Sequence, residues 1–104
     1  MGWKVTVAPS AESDLRDVVT FIARHNSDAA LRMGDTLIAR TIPLAQHPEM
    51  GRVVPEFARP DLREIIHRSY RIIYRVRRDR ALIEIVRFWH AARGFPRIPR
   101  PANK

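Results

Sequence analysis

The residues able to do chemistry in this 104-residue chain concentrate between Ser69 and Arg93, in the stretch SYRIIYRVRRDRALIEIVRFWHAAR. Arg71, Arg75, Arg77, Arg87 and Arg93 are interleaved there with apolar side chains, and the stretch runs into the pair Trp89–His90. A guanidinium offers a planar fork of donors that grips a phosphate or a carboxylate with two hydrogen bonds at once. A histidine, with an ordinary pKa of about 6.5, gives and takes protons near neutrality. The pattern points to an anionic partner held by arginines, with His90 as the group able to move a proton.

The distribution of charge points the same way. The chain carries a net charge of +8, and seventeen of its nineteen cationic residues are arginine. Residues 1–50 hold five Lys or Arg against six Asp or Glu, net −1, whereas residues 51–104 hold fourteen against five, net +9. Such asymmetry marks an interaction face more than general solubility. Each residue also has a plainer reading. Arg71 and Arg75 could be solvated on the wet side of an antiparallel sheet. His90 could cap a strand end, Trp89 could serve packing, and His25 and His47 could be exposed caps at helix ends. Glu64 and Glu84 read as cross-strand partners for arginines and not as catalytic bases.

Composition narrows the class. Hydrophobic residues make up 45% and charged residues 29%, as in a compact domain, and the length suits a single core. The absence of cysteine excludes disulfides and thiolate metal sites, and neither a metal nor a cofactor is expected. No apolar run approaches the roughly 20 residues that span a bilayer, and the N-terminus lacks a signal-peptide pattern, so a cytoplasmic protein is expected.

The elements that must position these residues follow from periodicity. Trp3, Val5 and Val7 alternate with Lys4 and Thr6 as a short strand. Ser10 reads as the N-cap of a helix carrying Ala11, Leu15, Val18, Val19 and Ile22 to about His25. Asn26-Ser27-Asp28 starts another helix with Ala30, Met33, Leu37, Ile38, Thr41 and Leu44 on one face. Pro43 should kink or end it, and HPEMGR, His47 to Arg52, leads out through Gly51. Arg63 to Arg68, Tyr70 to Arg77 and Ala81 to Trp89 have the period of strands. On the middle strand Tyr70, Ile72, Tyr74 and Val76 share one face, and Arg71, Ile73, Arg75 and Arg77 the other. The expectation is an α+β domain of order β-α-α-β-β-β, an antiparallel sheet backed by a helical hairpin and presenting a cationic far face. Residues 96–104, PRIPRPANK, form a Pro-rich basic tail, extended or disordered, beyond a domain of residues 1–95.

Four stretches in this order, VAPSAESDL, LAQHPEMGR, LREIIHRSYRIIYRV and IEIVRFWHAAR, resemble the RelE/ParE superfamily of toxins from bacterial type II toxin–antitoxin modules. In PSAESDL and HPEMGR, at the start of one helix and the end of the next, the chain is more similar to the ParE and plasmid-stabilisation branch. The resemblance implies a toxin that arrests growth by inhibiting DNA gyrase and is neutralised by an antitoxin with an acidic C-terminal segment, the two forming an oligomer. An alternative within the superfamily is a RelE-like, ribosome-dependent, metal-independent mRNA endoribonuclease. In that case Arg71 matches the strand arginine used on the scissile phosphate, His90 falls near the position of the general acid, and Arg93 near a further arginine. The lysines and C-terminal tyrosine usual in that branch are missing. A third reading is a non-toxic basic nucleic-acid-binding module. For antitoxin or target contact the candidates are Arg71, Arg75, Arg77, Arg87, Trp89, Met33 and Leu37, with Tyr74 beside them in an apolar groove.

Overall fold

The structure, a computed structural model, describes residues 2–101. β1 (Lys4–Val7) leads into α1 (Pro9–Ala23) and α2 (Ser27–Ala39), and a short 3-10 turn, Ile42–Ala45, follows. β2 (Arg52–Val53), β3 (Leu62–His67), β4 (Tyr70–Arg77) and β5 (Leu82–His90) complete the domain. The α+β class and the helical hairpin are as expected. The sheet differs in two respects: it has a fifth, two-residue strand, and it is mixed. Its order is β1-β5-β4-β3-β2, with β1 parallel to β5 and every other pair antiparallel. Returning the chain from β1 to β5 through the whole hairpin and three strands permits the parallel pairing, which a tight turn would forbid.

Local chemistry accounts for the helix ends. Asn26 caps α2 as expected, its side chain accepting the Ala29 N–H at 2.9 Å. α1 starts differently. Pro9 occupies its first turn, where a missing N–H costs nothing, and Ala8 is the N-cap without a side-chain bond. Ser10 is instead inside the helix, and its hydroxyl donates to the Val86 carbonyl at 2.6 Å, tying α1 to β5. α2 stops at Ala39, before Pro43 can clash with it.

The sheet carries a core on each face. Ala11, Val18, Leu37 and Leu44 pack from the helical side against Tyr70, Ile72, Tyr74, Ile83, Ile85 and Phe88. On the far face Val54, Leu62, Ile73, Val86 and Trp89 form a separate cluster with Phe57 and Ile98. A β-bulge serves both. Ile73 pairs with Arg87 and Tyr74 with Ile85, so Val86 is the additional residue, and Ile85 and Phe88, three apart, both face the helices. Gly51 is required by close approach: a Cβ there would lie 2.7 Å from the Tyr74 hydroxyl and 2.6 Å from the Glu64 carbonyl. That hydroxyl accepts the Gly51 N–H and donates to the Pro48 carbonyl, each at 2.9 Å.

The far face is therefore not an open cationic surface. The segment from Val54 and the tail roof it over: Pro96 is buried, Ile98 packs on the far-face cluster, and Phe95 meets Phe57 edge to face at 5.3 Å. Residues 102–104 of the expected tail lie outside the described residues. No helix among the described residues is long and apolar enough to cross a membrane.

Candidate functional site

β1 pairs only with Leu82–Ile85, so among the described residues the outer edge of β5 beyond Ile85 has no neighbouring strand. Backbone donors and acceptors on a buried edge must find other partners, and the start of α1 supplies them. Ala8 N–H donates to the Ile85 carbonyl at 2.8 Å, Ser10 bonds Val86, and the Asp14 carboxylate accepts the Phe88 N–H at 3.0 Å. Asp14 is 5% exposed and also receives both arms of the Arg87 fork, Nε at 2.8 Å and Nη2 at 2.7 Å. Arg93 Nη1 stands 3.8 Å from the same carboxylate. Both guanidiniums lie against Trp89, Arg93 at 3.8 Å from the ring centroid and Arg87 at 4.7 Å. Trp89 itself is buried and donates its Nε1–H to the Gly94 carbonyl at 3.1 Å.

Beside this junction a cavity of about 380 Å³ opens between α1 and the end of β5. Val18, Phe21, Tyr70 and Phe88 give it apolar walls, and Asp17, His90 and Arg93 stand on its rim with Asp14. Phe21 is 60% exposed. His90 meets Tyr70 edge to face, the centroids 5.0 Å apart at 85°. Its Nδ1 accepts the Ala92 N–H at 3.0 Å, which leaves Nε2 as the nitrogen that bears hydrogen in the neutral ring.

Arg71 is elsewhere. It lies on the far face, 9% exposed, with its Nε on Glu64 Oε1 at 2.6 Å and its two terminal nitrogens on both oxygens of Glu56, at 2.8 and 2.6 Å. Glu64 is held from its other side by Arg52 at 2.8 Å. Two carboxylates and two guanidiniums thus close on one another. The hydrogen bonds from Arg71 hold the Glu56 carboxyl down from its ordinary 4.5 to about 2, against the opposing effect of burial. The same bonds push the Arg71 guanidinium further above its already high value.

The expected constellation of Arg71, His90 and Arg93 is consequently not assembled. His90 and Arg93 share a cleft on the helical side, and Arg71 is engaged beneath the far-face roof. Arg75 is 4% exposed, its Nη1 on Glu84 at 2.8 Å and its Nη2 on the Pro99 carbonyl at 2.6 Å. Arg77 is mostly covered near Asp79, and Arg87 is committed to Asp14 and to the Arg97 carbonyl at 3.1 Å. Leu37 and Tyr74 are fully buried core, so the expected apolar groove keeps only Met33, which is half-buried at a separate cleft. Glu64 and Glu84 are arginine partners, as their positions suggested.

Sequence reasoning missed Asp14, Glu56 and Phe21. Asp14 had a signal: it falls three residues after Ala11 and four before Val18, on the buried stripe of α1, where an unpartnered carboxylate would be costly. Glu56, in an irregular segment, had none. Among the described residues no three His, Asp or Glu side chains come together as metal ligands.

Comparison with known proteins bears on the whole domain. Residues 5–95 match the sequence model of the family described as ParE toxin of type II toxin-antitoxin system, parDE. No curated protein is similar enough in sequence to count as a match. Among solved structures, the chain is similar to the chromosomal ParDE TA system from P. aeruginosa, with a TM-score of 0.69 and 20% identity over 85% of this chain and 95% of that one. It is similar to a mutant of E. coli toxin RelE in the free state, with a TM-score of 0.66 and 15% identity over 90% of this chain and 88% of that one. It is also similar to the toxin-antitoxin complex RelBE2 from Mycobacterium tuberculosis, with a TM-score of 0.53 and 18% identity over 86% of this chain and 92% of that one. At these identities the likeness to solved structures is one of fold.

Proposed function

Since the chain belongs to the ParE toxin family of type II toxin–antitoxin systems, we propose that it arrests growth by binding a protein target, DNA gyrase, and is silenced by a cognate antitoxin with which it forms an oligomer. The observation that carries this reading is the separation of Arg71 from His90. A metal-independent ribonuclease needs a cation on the scissile phosphate and a proton donor at the leaving oxygen, both within one site. Here Arg71 is saturated by Glu56 and Glu64, and the cleft that contains His90 carries the exposed carboxylate of Asp17 on its rim, which repels a phosphodiester. Apolar walls with charges of both signs at the rim suit a protein segment better than RNA. In this reading Phe21, His90 and Arg93 are the accessible recognition groups, while Arg71, Arg75, Arg87 and Trp89 hold their shape from behind. Residues 1–95 are the toxin unit, and the tail is its far-face cover.

The test is a gyrase supercoiling reaction with the purified chain, run beside primer extension on translated mRNA. The reading predicts blocked supercoiling and uncut mRNA. Cut mRNA with normal supercoiling would replace it by the endoribonuclease, and tight oligonucleotide binding without growth arrest by the nucleic-acid-binding module.

A further inference from the structure

Another cleft, of about 500 Å³, lies between α2 and the β3–β4 turn, lined by Ala29, Arg32, Met33, Thr36, His67 and Arg68. Its charged lining is cationic. Arg40 Nη1 donates to His67 Nδ1 at 3.2 Å, since a guanidinium has nothing to accept with, so the neutral ring presents Nε2–H. Burial and the nearby charges of Arg40 and Arg68 hold the His67 pKa below its ordinary value, which keeps the ring neutral. Among the described residues no carboxylate lines the cleft.

The arginines here differ from those that hold the fold together. Arg52, Arg59, Arg71, Arg75, Arg77, Arg78, Arg87 and Arg93 each stand within ion-pair distance of an Asp or Glu. Among the described residues Arg32, Arg40 and Arg68 have no such partner, a state they share with Arg16, Arg24, Arg63, Arg80, Arg97 and Arg100. What sets Arg32 and Arg68 apart is that they line this cleft together, with Asp28 and Asp35 flanking Arg32 in sequence. Arg68 also has φ of +54°, a left-handed backbone that glycine or asparagine would hold at lower cost. The turn tolerates that strain with an arginine at its apex.

We propose that this cleft takes a carboxylate-bearing segment of a protein partner, with an apolar side chain seated on Met33 and Ala29 and its carboxylates on Arg32 and Arg68. The inference rests on the toxin–antitoxin reading to the extent that an antitoxin is the partner whose expected chemistry fits. A cationic rim rich in donors favours an anionic acceptor, which means carboxylate or phosphate. The floor decides between them. Met33 is an adaptable apolar surface, and no Phe, Tyr or Trp among the described residues lines the cleft as a stacking platform for bases. Arg68 also lines a further cleft, of about 350 Å³, on the other side of the turn with Arg52, Ile66 and Ser69. Glu56 lines that second cleft, and Arg52 and Arg71 there are already paired with Glu64 and Glu56, so the segment's carboxylates belong on the α2 side of the turn.

The experiment measures fluorescence anisotropy of a labelled Glu/Leu peptide with the full chain and with an Arg32→Glu, Arg68→Asn variant. Asparagine tolerates the left-handed turn, so the variant should fold, and its melting curve checks this. The expected result is at least about a tenfold loss of peptide affinity in the variant, with oligo(dT) bound more weakly than the peptide by the unaltered chain. Equal peptide affinity in both proteins, no peptide binding by either, or preferential oligo(dT) binding abolished by the same substitutions would overturn the proposal. Growth arrest on expression is scored separately: a chain that arrests growth while both proteins bind the peptide alike loses this site and keeps the toxin reading.

Discussion

Arg71 and His90 occupy adjacent steps of one strand pair and face opposite sides of the sheet. Tyr70 pairs with His90 on the helical side, and Arg71 pairs with Trp89 on the far side. Period-two alternation makes any such neighbours diverge, so proximity in register is the reason these two groups cannot act on one phosphate. The same alternation leaves His90 beside Asp17 and Phe21, and gives Arg71 to Glu56 and Glu64.

Asp14 replaces a missing strand at the edge of β5, and removing it should be costly. Asp14→Ala leaves the Phe88 N–H and the Arg87 fork without acceptors, for an expected loss of about 2–4 kcal/mol. Asp14→Asn, which still accepts, should lose about half as much by the same reasoning. Urea denaturation of the three proteins checks both values, and an Asp14→Ala protein as stable as the parent would refute this role for the residue.

The Glu56 carboxyl predicts acid sensitivity. Its folded pKa of about 2 lies below the ordinary 4.5, so its contribution is complete above pH 4.5 and is lost as pH falls from 4.5 towards 2. With part of the side chain in solvent, about 1–2 kcal/mol near neutrality is expected. Glu56→Gln should therefore be less stable than the parent at neutral pH, and the two denaturation midpoints should converge as the solution is acidified through that window.

Within the tail, Pro96 to Pro99 are a structural cover and not a loose end. Ile98→Asp puts a carboxylate on the cluster of Ile73, Val86 and Trp89, and should lower stability by about 1–3 kcal/mol. Truncation after Gly94 should do the same and expose apolar surface, seen as increased binding of a hydrophobic dye.

Much of this was legible in the sequence, and what was not has a common cause. β4 is bounded as its alternation indicated, with Tyr70, Ile72, Tyr74 and Val76 towards the helices and Arg71, Ile73 and Arg75 away. Asn26 announced α2 through a local hydrogen bond, and Glu84 announced itself as the cross-strand partner of Arg75. The roof over the far face was not visible. Ile98 in a Pro-rich tail and Glu56 in an irregular segment reach their partners through contacts distant in sequence, which leave no periodic trace. An arginine beside an apolar residue reads as a wet face, whether water or a carboxylate completes it. Ser10 misled for a related reason: its hydroxyl serves either a helix cap or a distant strand carbonyl, and only the packing of α1 on β5 selects the strand.

Whether Arg71 does chemistry or holds the fold is the question on which the functional reading turns. Arg71→Met with Glu64→Gln removes the buried charge pair with little change of size. It also frees Glu56, whose carboxylate is partly exposed and can turn to water, so a cost of about 1–2 kcal/mol is expected and not unfolding. Growth arrest on expressing this double variant is the deciding measurement, with its melting temperature recorded to establish folding. The expected result is a folded protein that arrests growth as the parent does. A folded double variant that no longer arrests growth would contradict this and return Arg71 to the reacting site.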